Sequence, residues 1–217
     1  SHEEIKYDVF MRLNRGAVKL NEQELRNCLY RGGLNQLLKE MAENPDFLAL
    51  LKLKTAHKRM MDCELILRFL ALNGNWNPET GEIEHYKGRM KSFLNEFMIR
   101  NQNPNEERLD YYKNLFDSTA DKVLSVVGNQ AFRRINLDGE TESALNRAIM
   151  DCLMVSFARF DKEILLNKKE EINQKLRDLF LNDDEFRDSV TIGTSDQRVI
   201  TYRLQRWYDE LTEVLNG

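Results

Sequence analysis

The stretch from Leu65 to Leu72 constrains the fold more than any other part of the chain, because it is apolar nearly all round a helix. Arg68 is its only charged residue. A helix that is apolar on every side is stable only when other elements enclose it. The sequence therefore predicts a helix over about 55–72 inside a multi-helix bundle.

Apolar residues also recur at helical spacing along most of the remaining chain. Only 3 Pro and 10 Gly occur among 217 residues, and Leu, Glu, Lys and Arg are frequent, which favours helix over sheet. Further helices are predicted over residues 3–13, 21–30, 34–43, 46–52, 89–101, 104–127, 141–160, 165–179 and 196–215. The expected fold class is all-α, a multi-helix bundle of about eight to ten helices with little or no sheet.

One irregular segment, residues 73–88, is a candidate boundary within the chain. It contains the turn signals Asn77-Pro78 and Thr80-Gly81, which are compatible with a loop or a small hairpin. Its flanking helices are strongly apolar, so we expect one shared core over 1–217 rather than two domains.

The charge balance and the cysteines limit the classes of function. The net charge is −4, which argues against a globally basic nucleic-acid binder but leaves room for a local basic patch. Cys28, Cys63 and Cys152 are odd in number, far apart and beside apolar residues, as in a reduced cytoplasmic protein. No apolar run approaches the roughly 18 residues of a membrane span, so we expect no membrane association.

No catalytic signature is present in the sequence. It contains neither a phosphate-binding loop of the Gly-x-x-x-x-Gly-Lys-Ser/Thr type nor a Gly-x-Ser-x-Gly motif. His2, His57 and His85 do not lie at zinc-ligand spacing from one another or from a cysteine. We therefore expect no catalytic residue and no metal site in this chain.

Charged residues within the most apolar helices have two interpretations. Arg147 and Asp151 are four residues apart, as are Glu64 and Arg68. Since an unpaired buried charge is costly, these pairs are predicted to be ion pairs that lock helices together. The alternative is that Asn146, Arg147 and Asp151 face a polar cleft.

The densest polar motif of the chain lies near its start, over residues 8–27. Asn21 and Glu24 have the spacing of a capping box, which predicts a helix start at this point. A loop with a glycine between two helices can hold an anion, and arginines can grip a phosphate through two hydrogen bonds. Two structural alternatives remain open, an ion pair between Arg12 and Glu24 and a loop cap by Asn14. The candidate phosphate or nucleotide contacts are Arg12, Asn14, Arg15, Gly16, Glu24, Arg26 and Asn27.

A basic cluster lies at the predicted start of the helix over 55–72. It is a candidate for DNA phosphate contact, and the alternative is an ordinary solvated face. The candidate DNA contacts are Lys52, Lys54, Lys58 and Arg59.

The opening motif resembles the signature of a prokaryotic family, the domain of unknown function 262, which includes GmrSD-type and ParB-like restriction-associated proteins. The family segment is Phe-x-Arg-Leu-Asn-x-Gly-Gly-x-x-Leu-x-x-x-Glu-Leu-Arg-Asn, and Ala17 replaces its second glycine here. Residues 59–69 and 145–151, together with Gly193-Thr194 and Arg203, are similar to the helical half of the family. The matching positions of the motif are Phe10, Arg12, Leu13, Asn14, Gly16, Leu20, Glu24, Leu25, Arg26 and Asn27.

The resemblance implies that this chain is the C-terminal helical part of a longer protein of the prokaryotic cytoplasm. In the family, a ParB-like domain with an Asp-Gly-Gln-Gln-Arg motif comes first and is implicated in nucleotide hydrolysis and in DNA cleavage in phage defence. This sequence contains no such motif, and it lacks the histidine-rich nuclease domain of some relatives. The implied partners are the ParB-like domain and DNA, and the implied cofactors of the longer protein are a nucleoside triphosphate and magnesium. Arg12, Asn14 and Glu24 would complete its site from the helical side.

From the residues alone, an alternative function is a helical protein–protein interaction module with no nucleotide or DNA role. The sequence leaves the oligomeric state open.

Overall fold

The computed structural model of the protein describes Ile5, Val9 and residues 19–217. The helix predicted over 3–13 and the loop after it lie outside the described residues, except that Ile5 and Val9 are helical and exposed. Within the described part the chain is all-α, with eleven helices and no strand, which confirms the predicted fold class. Two isolated antiparallel bridges, Trp76–Ile83 and Ile135–Thr141, are its only sheet-like pairings.

The helices are numbered here in chain order from the first fully described one. They are α1 (Glu22–Leu29), α2 (Gly33–Met41), α3 (Pro45–Leu51), α4 (Met61–Asn75), α5 (Met90–Arg100), α6 (Glu106–Val126), α7 (Arg147–Phe157), α8 (Lys162–Asn167), α9 (Lys169–Asn182), α10 (Asp184–Ser189) and α11 (Gln197–Asn216).

Side-chain caps explain where several helices begin. The helix predicted to open at Pro104 begins at Glu106, because the side chain of Asn105 accepts the backbone N–H of Arg108 at 3.0 Å. The helix predicted over 141–160 is shorter for the same reason, since Asn146 caps α7. Asn and Asp side chains cap six helices in this way, at Asn21, Asn44, Asn105, Asn146, Asp183 and Asp196.

The predicted helix over 55–72 is wrong at its start, because residues 55–60 form a loop and α4 begins at Met61. Met60 adopts a left-handed backbone conformation with φ of 56°. The buried carboxylate of Asp62 accepts the backbone N–H groups of His57 and Cys63, which fixes the loop against the helix. The basic cluster is therefore on a loop and not on a helix.

Helices α4 and α7 lie at the centre of the bundle and pack against each other. α4 also contacts α1, α2, α5 and α6, and α7 also contacts α6 and α11. The indole N–H of Trp207 on α11 donates to the hydroxyl of Ser156 on α7 at 2.8 Å. Side chains from before and after the segment 73–88 belong to one connected core.

None of the helices described here is long and apolar enough to cross a membrane.

Candidate functional site

Four of the predicted phosphate contacts, Arg12, Asn14, Arg15 and Gly16, lie outside the described residues. The other three, Glu24, Arg26 and Asn27, are on α1 and have different surroundings.

Glu24 belongs to the capping box of α1, as predicted from the spacing. The side-chain oxygen of Asn21 accepts the backbone N–H groups of Gln23 and Glu24, each at 2.9 Å. In return, a carboxylate oxygen of Glu24 accepts the backbone N–H of Asn21 at 2.7 Å. Both ends of the box are satisfied, which fixes the direction in which the chain enters α1.

Arg59 joins the basic cluster to this helix start. Its guanidinium donates to the Glu24 carboxylate at 2.8 and 3.2 Å and to the backbone carbonyl of Lys19 at 2.8 Å. The side chain of Asn21 donates to the carbonyl of Arg59 at 2.8 Å. The hydrogen bonds and charge of Arg59 lower the pKa of Glu24. Two candidate sets that are separate in the sequence therefore meet on one surface, which we call the junction surface (residues 19–24 and the basic loop 52–60).

The other cations of the basic loop differ in their availability. Lys52 donates to the side chain of Gln130 at 2.7 Å. Lys54 and Lys58 are exposed and form no ion pair with a described residue. Those two ammonium groups, with Lys19, are the available cations of the junction surface.

Arg26 is 1% exposed, and its hydrogen bonds are internal. Its guanidinium donates to Asn95 at 2.8 Å, to Gln23 at 3.0 Å and to Glu64 at 3.1 Å. It therefore ties α1 to α4 and α5 and has no route to an external phosphate. Asn27 is half-buried and accepts a hydrogen bond from the side chain of Asn35 at 3.0 Å.

The charges of the apolar helices pair between helices rather than within them. Asp151 is 0% exposed and accepts hydrogen bonds from Arg68 on α4 and Arg203 on α11. Arg147 is exposed, and Glu64 pairs with Arg26 instead of Arg68. The prediction that ion pairs lock helices together is confirmed, but both predicted pairings are wrong.

The structure does not place Asn146, Arg147 and Asp151 together in a polar cleft at the start of α7. Asn146 caps α7 and donates to the carbonyl of Val190 at 2.8 Å, while Asp151 lies in the core. The predicted ion pairs did not include Arg203, which the structure adds to this cluster. Its position inside the apolar stripe of α11, next to Leu204 and one turn from Trp207, was the available signal.

The buried charges of Asp151, Arg68 and Arg203 stabilise one another through ion pairs and hydrogen bonds. Burial opposes the charge of Arg68, but the attraction and hydrogen bonds of Asp151 outweigh it, so the pKa of Arg68 is raised. The guanidinium of Arg203 also donates to the backbone carbonyl of Thr194 at 2.8 Å, and the hydroxyl of Tyr86 donates to the backbone carbonyl of Ser195 at 2.6 Å. The cluster therefore fixes the loop between α10 and α11.

Two of the cysteines are unsuited to nucleophilic chemistry. Burial raises the pKa of Cys63 to about 12, with a further contribution from the charge of Asp62. Burial likewise raises the pKa of Cys152 to about 12. Both thiols therefore stay protonated near neutral pH. Cys28 is half-buried.

No group of three or more His, Cys, Asp or Glu side chains with the arrangement of a metal site occurs among residues 19–217 together with Ile5 and Val9.

Comparisons of the chain with protein-family models, with curated proteins and with solved structures found no match. The resemblance to ParB-like, GmrSD-type proteins therefore rests on the motif residues and remains a prediction.

Proposed function

We propose that this chain is the helical region of a ParB-like, GmrSD-type protein and supports nucleotide-linked recognition or cleavage of foreign DNA without being catalytic itself. The observation that carries the proposal is the anchoring of the basic loop to residues 19–24 through Arg59. Arg59 and Lys19 are 40 residues apart in the sequence. Arg15 precedes Lys19 by only four positions, and Lys19 itself belongs to the opening motif, so the basic loop contacts the described part of that motif.

The chemistry of the junction surface suits phosphate oxygens. Lys54 and Lys58 offer exposed ammonium groups without an intramolecular carboxylate partner in the described structure. In the proposal, Arg12 and Arg15 add guanidinium groups that bind phosphate through paired hydrogen bonds. Glu24 acts through its ion pair, because it holds Arg59 against the helix start.

In the proposal, the remaining parts of the site belong to the longer protein. A ParB-like domain would be the intramolecular partner, and the nucleoside triphosphate and magnesium would be bound with it. The part proposed for this chain is to contact phosphate and to orient the opening motif.

Salt-dependent DNA binding tests the proposal directly. Fluorescence anisotropy with labelled duplex and single-stranded DNA should show binding that weakens steeply as salt rises. The double variant Lys54→Ala with Lys58→Ala should flatten the slope of log affinity against log salt by about 1.8 for duplex DNA, since each lost phosphate contact removes about 0.9. The matched control is Lys87→Ala with Lys169→Ala, which removes two exposed cations elsewhere and should keep the slope.

Nucleotide binding is the second arm of the same test. Thermal unfolding with inorganic phosphate or a nucleoside triphosphate should show stabilisation that Arg12→Ala abolishes. Binding of the free nucleotide without DNA binding would identify the nucleotide as the phosphate source. The absence of both DNA binding at low salt and stabilisation by any nucleotide would contradict the proposal.

The alternative function, a protein–protein interaction module, has its own supporting observation. Large apolar side chains are exposed beside α10, on a surface formed by other residues than the junction surface. If Arg12→Ala or Glu24→Ala unfolds the chain, the opening motif is structural and this alternative gains support.

A further inference from the structure

Leu137 and Ile192 are the most exposed large apolar side chains of residues 19–217, at 68% and 66%. Most other large apolar side chains of that range lie in the core. Exposed apolar groups that cluster around cavities often mark interaction sites.

These two residues line adjacent cavities at the corner formed by α10, the start of α11 and the turn 134–142. The first cavity measures about 330 Å³ and has apolar walls from Ile192, Val199 and Tyr202. The second measures about 420 Å³, and its apolar walls are Ile135, Leu137, Phe180 and Val190. Asp188 is the residue that lines both cavities. We call this region the two-pocket surface.

The turn that carries Leu137 is held in place by hydrogen bonds. The N–H of Asn136 donates to the carbonyl of Glu140 at 2.9 Å, and Arg177 donates to the carbonyl of Gly139 at 2.9 Å. The guanidinium of Arg134, at the base of the turn, donates to the hydroxyl of Thr191 at 3.0 Å.

Ile192 is fixed by the turn that ends α10. Its N–H donates to the carbonyl of Asp188 at 2.8 Å. Both apolar anchors are therefore preorganised, which reduces the conformational entropy lost when a partner binds.

The charges around the two cavities favour a cation between them. The arginines of the second cavity are paired within the chain, Arg134 with Glu142 and Arg187 with Asp184. The carboxylates of Asp188 and Glu185 have no ion pair in the described structure. Arg198, which also lines the first cavity, offsets one of them, so one negative charge remains uncompensated.

We propose that the two-pocket surface binds a short segment of a partner protein in which a lysine or arginine lies between two large apolar residues. The apolar side chains occupy the two cavities, and the cation meets Asp188 between them. Apolar anchors supply most of the affinity in such contacts, and the charge selects the partner. The proposal does not depend on the phosphate contacts of the junction surface.

Selection from a phage-displayed library of random 12-residue peptides on the whole chain tests this proposal. We expect enriched peptides to carry Lys or Arg between two large apolar residues. Affinity for a selected peptide, measured by fluorescence anisotropy, should fall at least tenfold in Leu137→Asp and in Ile192→Asp. The matched control is Ile164→Asp, which charges an exposed apolar residue on α8 and should leave the affinity unchanged.

Charge reversal at Asp188 gives the sharpest outcome. The same library on Asp188→Lys should yield Asp or Glu in place of the central cation. The proposal is overturned if no peptide is enriched, or if Asp188→Lys enriches the same cationic peptides as the wild type. It is also overturned if peptide binding is unchanged in both Leu137→Asp and Ile192→Asp. Self-association in analytical ultracentrifugation that is lost in Ile192→Asp would also overturn it, because a second copy would then be the occupant.

Discussion

At the scale of the residue, Asp151 holds the most consequential charge of the core. One carboxylate faces two guanidinium groups, with the Nε of Arg68 at 3.0 Å and a nitrogen of Arg203 at 3.1 Å. These three side chains come from α4, α7 and α11. The cluster therefore fixes how the two central helices meet the C-terminal one.

Substitution of Asp151 by asparagine should destabilise the protein severely. The change keeps the side-chain shape but leaves two buried guanidinium groups without their counter-charge, so we expect a loss of about 3–5 kcal/mol in the free energy of unfolding. Chemical denaturation followed by circular dichroism measures it. Asp138→Asn is the control, since Asp138 is exposed and its change should stay within about 0.5 kcal/mol. An equal effect of both variants would show that the cluster is not held by charge.

The sequence predicted that these charges form ion pairs that hold helices together, but it did not predict which residues are the partners. Spacing alone suggested Arg147 for Asp151, and the actual partners are 83 and 52 residues away. Arg26 was predicted to contact phosphate because it lies in the motif. In the structure it is buried and donates hydrogen bonds to Asn95 and Glu64, which are 69 and 38 residues away in the sequence. Contacts at such separations depend on the packing of helices, which the spacing of residues along the chain does not encode.

At the scale of the element, the start of α1 is a structural joint between a helix and a loop. Asn21 accepts two backbone N–H groups of α1 through its oxygen and donates to Arg59 through its nitrogen. One side chain thus connects helix capping with the position of the basic loop.

Two substitutions of Asn21 should separate these roles. Asn21→Ala removes the cap and should cost about 1 kcal/mol in the free energy of unfolding. Asn21→Asp keeps an accepting oxygen but loses the donor to Arg59, so it should be clearly less destabilising than the alanine variant. Thermal and chemical unfolding measure both. Equal losses would mean that the contact with Arg59, rather than the cap, dominates.

The ion pair between Lys175 on α9 and Glu210 on α11 should make the stability of the protein depend on pH. Burial disfavours the charge of Glu210 on α11, but hydrogen bonds from Lys175 on α9 and from Arg206 outweigh it and lower the pKa of Glu210. A lowered pKa in the folded state stabilises the protein above the ordinary value of 4.5, and this contribution is lost as pH falls through the lowered pKa. Glu210→Gln should therefore destabilise the protein at neutral pH.

Measurements across pH test this assignment. The difference in unfolding free energy between wild type and Glu210→Gln should shrink as pH falls below 4.5. Glu163→Gln on α8, an exposed position, is the control and should show no such convergence. A constant difference for Glu210→Gln would show that the loss is not electrostatic.

The predicted helix boundaries were correct where a local capping motif sets them. They were wrong where a distant contact or an unusual backbone conformation sets them. The capping box of Asn21 and Glu24 was evident from spacing alone. The helical prediction for residues 55–60 failed because Asp62 takes the N–H of His57 and Met60 turns left-handed. Neither feature leaves a clear mark in the sequence.

At the scale of the whole molecule, one core spans the segment 73–88. α4 extends through residues 73–75 of this segment, which were predicted to be irregular, and it packs directly on α7, which follows the segment. Trp76 closes the end of α4, and its ring meets that of Tyr208 on α11 with centroids 5.3 Å apart. The apolar pattern predicted one all-α bundle, and the irregular segment connects its parts.

Unfolding should accordingly be a single cooperative transition. Trp76 lies within the segment 73–88 and Trp207 lies on α11, so the variants Trp76→Phe and Trp207→Phe each leave one fluorescent reporter in a different part of the core. Within each variant, the fluorescence and far-ultraviolet circular dichroism curves in urea should coincide. Separate midpoints would mean that the surroundings of the remaining tryptophan unfold independently of the rest of the bundle.

The anchoring of Lys19 by Arg59 has a mechanical consequence. A pull on the chain before Lys19 would act along the backbone into α1 and also, through the guanidinium of Arg59, on the basic loop, which His57 ties to the buried carboxylate of Asp62 on α4. The link between Arg59 and Glu24 is half exposed and open to solvent, whereas Asp62 is enclosed. Under tension the exposed contacts of Arg59 would break first, and the basic loop would separate from residues 19–24 while the bundle keeps its shape.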